Sequence, residues 1–212
     1  MIIQWLGLSA VKVQTKGQGE ELVIALDPFA DNGSLKMPRF QADIVMASSN
    51  HEEHANFEAI RGEPFAIVHP GEYETKGIFI YGIPGVNSSD KEKLQNTIYK
   101  IIAEEISIVH LGRLNKTLTD EQVDQLGNVD ILFLPIGGKD VLDDKKAIEV
   151  ASQLEPRIII PIHYKINGQK TDLADAGDYL KHCGLKSETQ EKLRANKKDL
   201  LAEDTRVIIL TV

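Results

Sequence analysis

The chain has a single cysteine, Cys183, so no intramolecular disulfide can form within its 212 residues, and the sequence fits a reducing compartment. No apolar run approaches the roughly 20 residues that a membrane-spanning helix needs. The N-terminus also lacks the basic segment and apolar stretch of a secretory signal, so the cytoplasm is the expected location. An excess of positive charge is missing as well. Against 32 Asp and Glu stand 24 Lys and Arg, a net charge of -8. That balance opposes sequence-independent binding to DNA or RNA, which works by neutralising phosphates, and it opposes adhesion to anionic membranes. The basic residues between Arg194 and Lys198 read as a solvated face. There is no linker rich in Gly, Ser or Pro, no low-complexity segment and no strict repeat. The length suffices for one well-packed core without requiring two, so residues 1–212 are expected to form one domain.

What is present divides into two patterns. The first half reads as strands: 1–6, 11–15, 22–26, 43–47, 65–69 and 77–81, with Pro70-Gly71 as a turn, then 97–102 and 106–111. The second half alternates helix and strand. Thr119 opens a helix with Gln122 as its capping-box partner. The nearly continuous apolar runs 129–134 and 157–162 suit strands buried on both faces. Residues 143–154 carry Ala147, Ile148, Ala151 and Leu154 at helical spacing. Residues 173–183 suggest another helix, ending at Cys183, which reads as a buried structural thiol, and 207–210 a final strand. This is an α/β (α+β) pattern of two sheets covered by helices.

Four of the six histidines follow or end apolar runs: His51 and His54 after 44–47, His110 at the end of 106–109, and His163 at the end of 158–162. Sites in α/β proteins commonly form where buried strands end, and imidazole is the commonest metal ligand among side chains. The densest piece is Ser48-Ser49-Asn50-His51-Glu52-Glu53-His54, whose histidines and carboxylates could converge on a cation. The bland alternative is a polar loop leading into a helix at 56–60. His69 and His182 lack such context and read as structural or exposed. Ser48 and Ser49 lie near His51 without a nucleophile elbow. Gly137-Gly138 lacks the P-loop lysine and reads as a tight strand-to-helix turn.

The Ser48–His54 segment resembles the first motif of the metallo-β-lactamase superfamily, H-x-H-x-D-H. Further pieces carry the resemblance along essentially the whole chain: Trp5-Leu6-Gly7, Leu26-Asp27-Pro28-Phe29, Pro70-Gly71-Glu72-Tyr73-Glu74, Tyr81-Gly82-Ile83-Pro84, Asn96-Thr97-Ile98-Tyr99, His110-Leu111-Gly112, Pro135-Ile136-Gly137-Gly138 and Ile160-Pro161-Ile162-His163-Tyr164. The chain is similar to the small zinc-dependent hydrolases of that fold. The resemblance implies a four-layer αββα sandwich with the site at one edge of the two sheets. It also implies, for active members, two zinc ions sharing a water or hydroxide whose pKa the metals lower.

Carried over position by position, the ligand set is incomplete. Ser49 stands at the leading histidine, His51 and His54 are kept, and Glu53 replaces the aspartate. The later histidine position falls at Asn87, and Arg113 occupies the position of the bridging aspartate. His163 is kept, and Leu8 stands where the family tends to carry a histidine. Arginine stays protonated and offers only donors, so Arg113 cannot ligate a cation and would repel one. The expectation is therefore a vestigial pocket (Ser49, Asn87, His110, Arg113) with residual metal candidates His51, Glu53, His54 and His163. No catalytic residue is assigned, and Arg113 is expected to pair with Glu53 in the space vacated by metal. On this reading the protein has no resident cofactor and is non-catalytic or altered in function, holding a small molecule in the reshaped pocket. The alternative is a hydrolase using one zinc held by His51, His54 and His163, with His110 packing behind it. A homo-oligomer is compatible with the sequence.

Overall fold

A computed structural model describes residues 1–51, 53–85, 96–200 and 204–212. Strands β1 (Ile2–Gly7), β2 (Ala10–Gly17) and β3 (Glu20–Leu26) form an antiparallel meander. Then come the two-residue β4 (Phe40–Gln41), β5 (Ile44–Met46), a 3-10 turn at Phe57–Ala59, the two-residue β6 (Ile60–Arg61) and β7 (Phe65–Ile67). Strands β8 (Gly71–Thr75), β9 (Ile78–Gly85), β10 (Asn96–Ala103) and β11 (Ile106–His110) follow. Helix α1 (Asp120–Leu126), β12 (Ile131–Pro135), α2 (Asp144–Leu154), β13 (Ile158–Ile162) and α3 (Gly177–Cys183) alternate, before β14 (Ser187–Gln190), β15 (Leu193–Arg194) and β16 (Arg206–Leu210).

Among the described residues the strands make a six-stranded sheet, β15-β1-β2-β3-β5-β7, and an eight-stranded sheet, β14-β16-β13-β12-β11-β10-β9-β8, besides the small pair β4-β6. In the second sheet, β11, β12 and β13 run parallel and in register, joined by crossovers that carry α1 and α2. Parallel neighbours need such crossovers, and strands so covered are apolar on both faces. Every residue of β12 and β13 is buried. In the first sheet the alternation is two-faced. Leu22, Ile24 and Leu26 of β3 point into the core between the sheets, while Ala25 faces the other way.

Helices α1, α2 and α3 cover the second sheet through Leu126, Ala147, Val150, Leu154 and Tyr179, all part of the main core. The Thr119–Gln122 capping box forms as its spacing predicts, and Asp143 caps α2. The outer face of the first sheet is covered differently. Phe29, Leu35, Met37, Ala59 and Ile60 pack on Ala10, Ala25 and Val45, so this layer consists of loop and one 3-10 turn where a helix was expected at 56–60. The four-layer αββα order is otherwise as anticipated. Further differences concern polar segments. β8, β14 and β15 are strands that no apolar pattern announces, and α3 starts at Gly177 rather than 173. No helix among the described residues is long and apolar enough to cross a membrane.

Candidate functional site

The site is built from strand ends. β3 ends at Leu26 and delivers Asp27, β5 ends at Met46 and leads into Ser48–His54, β11 delivers His110 to Arg113, and β13 delivers His163. The β1–β2 turn adds Ser9. Contacts between the sheets fix these loops relative to one another. Thr97 N–H donates to the Ser48 carbonyl at 2.7 Å and the Tyr99 hydroxyl to the Ala47 carbonyl at 3.0 Å. Asn96 bridges within the second sheet: its Oδ1 accepts from Arg113 N–H at 2.9 Å and its Nδ2 donates to the Leu111 carbonyl at 3.0 Å.

Asp27 is the buried centre of the cluster. Its Oδ1 accepts the Ser48 N–H at 2.6 Å, and its Oδ2 accepts the Ser48 hydroxyl at 2.7 Å and His54 Nδ1–H at 2.8 Å. Burial pushes its pKa upward, but the charge and hydrogen bond of His54, then His110 and Ser48, outweigh that, and the carboxyl lies below its ordinary value. With Nδ1 committed to Asp27, His54 Nε2 is buried and has no hydrogen-bond partner. The His54 ring lies parallel to that of His163, with centroids 5.6 Å apart.

His163 adopts φ +51 just past β13, and its N–H donates to the Leu8 carbonyl at 2.8 Å. Its Nδ1 sits 2.7 Å from the Ser9 hydroxyl. Burial first, then the charges of His54 and Arg113, hold its pKa well below the usual imidazole value, with Asp27 opposing. His110 has both ring nitrogens engaged: Nε2–H donates to the Ser9 carbonyl at 2.9 Å and Nδ1 accepts Gly112 N–H at 3.1 Å. This pair of bonds defines its tautomer. Burial is the largest cause of its lowered pKa, partly offset by Asp27. Its ring packs against Phe133.

His51 and Glu53 form a half-exposed edge. Ser49 Oγ, itself buried, accepts His51 N–H at 3.3 Å, and His51 Nδ1 accepts Glu53 N–H at 3.3 Å. The Glu53 carboxylate lies 3.8 Å from the same nitrogen. The expected Arg113–Glu53 pair therefore does not form. The turn after His51 folds the Glu53 carboxylate back onto that ring, while the arginine turns inward. Arg113 is only 8% exposed. Its Nε and Nη1 are buried without a hydrogen-bond partner, and its charge acts on His163. Asn87 lies outside the described residues. Among the described residues no three His, Cys, Asp or Glu side chains are arranged to hold a metal ion.

Three site residues escaped the sequence reading: Asp27, Ser9 and Asn96. Asp27 had a usable signal, a carboxylate ending an apolar strand immediately before a proline. Asn96 lay in a motif that carried the resemblance but had no role assigned to it, and Ser9 had no signal, because its partner His163 lies 154 residues away. The remaining histidines are elsewhere. His69 is exposed, and His182 Nδ1 lies 2.7 Å from Asp144 Oδ2, joining α3 to the first turn of α2. A cleft of about 1040 Å³ lies at the opposite ends of β12 and β13, lined in part by Ser107, Asp130, Arg157 and Tyr179, and contains none of these histidines.

Two β-sheets packed face to face, with helices over the second and a histidine–aspartate cluster at the strand ends, are features of the metallo-β-lactamase fold. Residues 2–163 match the family described as the beta-lactamase superfamily domain, and the chain belongs to that superfamily. It is similar to a UPF0173 metal-dependent hydrolase of Bacillus mycoides (strain KBAB4), 26% identical, with 77% of this chain and 85% of the relative covered. A UPF0173 metal-dependent hydrolase of Lysinibacillus sphaericus (strain C3-41) matches at the same identity and coverage. Among solved structures it resembles a protein of Thermotoga maritima assigned as a Zn-dependent hydrolase of the metallo-beta-lactamase superfamily. That match has 28% identity and TM-score 0.78, over 99% of this chain and 97% of that one. The fold is shared with Igni18, a metallo hydrolase of Ignicoccus hospitalis, at 20% identity and TM-score 0.70, over 99% of this chain and 94% of that one.

Proposed function

We propose that this chain keeps the frame of a metal-dependent hydrolase but has given up the dinuclear centre, and acts through its reshaped pocket as a binding or regulatory protein. The observation that carries this reading is Arg113. Arg113 is more than nine-tenths buried, its charge acts on His163, and the family resemblance gives its position to a bridging carboxylate, so a permanent positive charge replaces a metal ligand on this reading. The donor set agrees. A catalytic zinc needs about three protein ligands and an open position. Here Asp27 is taken up by Ser48 and His54, His110 has both nitrogens engaged, and His51 Nδ1 accepts from Glu53 N–H. The residues present do not fit two metal ions.

One observation favours a second reading, a hydrolase using a single metal. His54 Nε2 has no partner and its ring is parallel to His163, so two nitrogens of the expected set remain adjacent. Metal content separates the two. Protein purified without chelator or affinity-tag metal and supplied with zinc is expected to retain less than stoichiometric metal and to leave simple ester and phosphodiester probes intact. Stoichiometric zinc that vanishes in a His51→Ala, His163→Ala double variant would sink the proposal.

A further inference from the structure

Five buried side-chain polar atoms among the described residues lack a hydrogen-bond partner, and three of them fall in this one site: Arg113 Nε, Arg113 Nη1 and His54 Nε2. Folded proteins leave few such atoms unpaired, so their concentration here marks a missing partner. The kind of partner follows from charge. Among the described residues Arg113 makes no ion pair, and Glu53, the carboxylate expected to pair with it, is turned to His51. The buried carboxylate of the cluster, Asp27, is already taken up by Ser48 and His54. A water molecule would satisfy hydrogen bonds but not the buried positive charge, whose desolvation is costly without a counter-charge. We propose that the pocket binds a small oxyanion, of phosphate or carboxylate chemistry, through Arg113, with His54 Nε2 as its second contact.

The planar guanidinium matches either oxyanion. His54 Nε2 distinguishes them. While Nδ1–H donates to Asp27, Nε2 of the neutral ring is an acceptor, and a hydrogen phosphate or phosphate monoester can offer it an O–H while its other oxygens accept from Arg113. A carboxylate is acceptor-only. Phosphate is therefore expected to bind more tightly than acetate. This inference rests on the metal-free reading above, since a metal at His54 and His163 would take the same nitrogen.

The test is calorimetric titration of the whole, metal-analysed protein with inorganic phosphate and with acetate, at ionic strength held constant with sodium chloride, alongside Arg113→Gln and Arg113→Lys. Phosphate should bind the wild type, and Arg113→Gln should weaken it by about ten- to a hundredfold, the usual worth of a charge-assisted hydrogen bond. Arg113→Lys should fall between, because it keeps the charge and loses the fork. Arg113 Nε and Nη1 have no hydrogen-bond partner among the described residues, so neither variant breaks a bond made there by those atoms. The phosphate-dependent shift of the His54 ring resonances reports on the site directly if Arg113→Gln is unstable. Stoichiometric metal in the wild type overturns the metal-free reading. Metal-free protein that responds to neither anion, or that responds equally in Arg113→Gln, overturns the oxyanion site. A stronger response to acetate than to phosphate overturns the role given to His54.

Discussion

His110 and His163 are both buried, and both titrate below the ordinary imidazole value, burial being the largest cause in each. An unfolded histidine takes up its proton near pH 6.5. As pH falls through that value the unfolded chain binds protons that the folded chain refuses, so the folded state loses stability. The contribution of these two residues is thus fully present above about pH 6.5 and declines as the solution is acidified towards pH 5. Asp27 acts in another window. Its lowered pKa gives stability that is fully present above about 3.9, the unfolded aspartate value, and is lost only as pH falls through its lower folded value. Melting temperature measured from pH 8 to pH 5 should therefore fall on the acid side of neutrality. A His163→Gln variant should show a shallower decline, because one of the two responsible groups is gone. An equal slope in the variant would mean that His163 is not held neutral by the fold.

At the scale of elements, the turn after β11 binds the site to the sheet. Gly112 has φ +61, and a Cβ there would lie 2.5 Å from Asn96 Oδ1 and from Ser48 Cβ and Oγ. Gly138 has nearly the same backbone, φ +64, with nothing within 4 Å of such an atom. Gly138→Ala should cost about 1–2 kcal/mol from left-handed backbone alone. Gly112→Ala should cost about 2–4 kcal/mol, the excess being the collision with Ser48 and Asn96. Chemical denaturation of both variants measures the difference, and equal losses would show that the turn does not clamp the site.

The same contrast between local and distant causes explains what could be read from the chain. β12 and β13 were legible because strands buried on both faces are written as unbroken apolar runs, and α1 because Thr119 and Gln122 sit within one turn. β14 was not, since Ser187–Gln190 is a mostly exposed polar strand defined by its pairing with β16. The first residues of the expected helix at 173–183 are drawn elsewhere. Ala174 N–H goes to the Gly137 carbonyl and Gly177 N–H to Asp175 Oδ1, which delays α3 to Gly177. In the site, His51, His54, His110 and His163 were legible as polar residues ending apolar strands. The bond of Asp27 to His54 spans 27 residues and that of Ser9 to His163 spans 154. The inward turn of Arg113 depends on how two loops face each other, which residue chemistry alone suggested wrongly as a pair with Glu53.

At the scale of the whole molecule, the candidate ligand positions are spread over both sheets. Ser49 and Glu53 follow β5 of the first, and Arg113 and His163 follow β11 and β13 of the second. Their relative placement is set by contacts that involve none of those side chains: Thr97 N–H to the Ser48 carbonyl, the Tyr99 hydroxyl to the Ala47 carbonyl, and the Asn96 bridge to the Arg113 backbone. The frame should therefore survive substitution of the side chains it carries. Arg113→Asp alone removes the repelling cation but leaves the set short of donors, so it should gain little zinc. Ser49→His, Glu53→Asp, Asn87→His and Arg113→Asp together should bind about two zinc ions per chain and raise the melting temperature as zinc is added, because ligand bound only by the folded state stabilises it by mass action. Metal analysis after dialysis, together with melting curves with and without zinc, checks both. A quadruple variant that is folded yet holds no metal would mean that the positions are misassigned. The loss of metal that we propose would then lie in the frame rather than in four side chains.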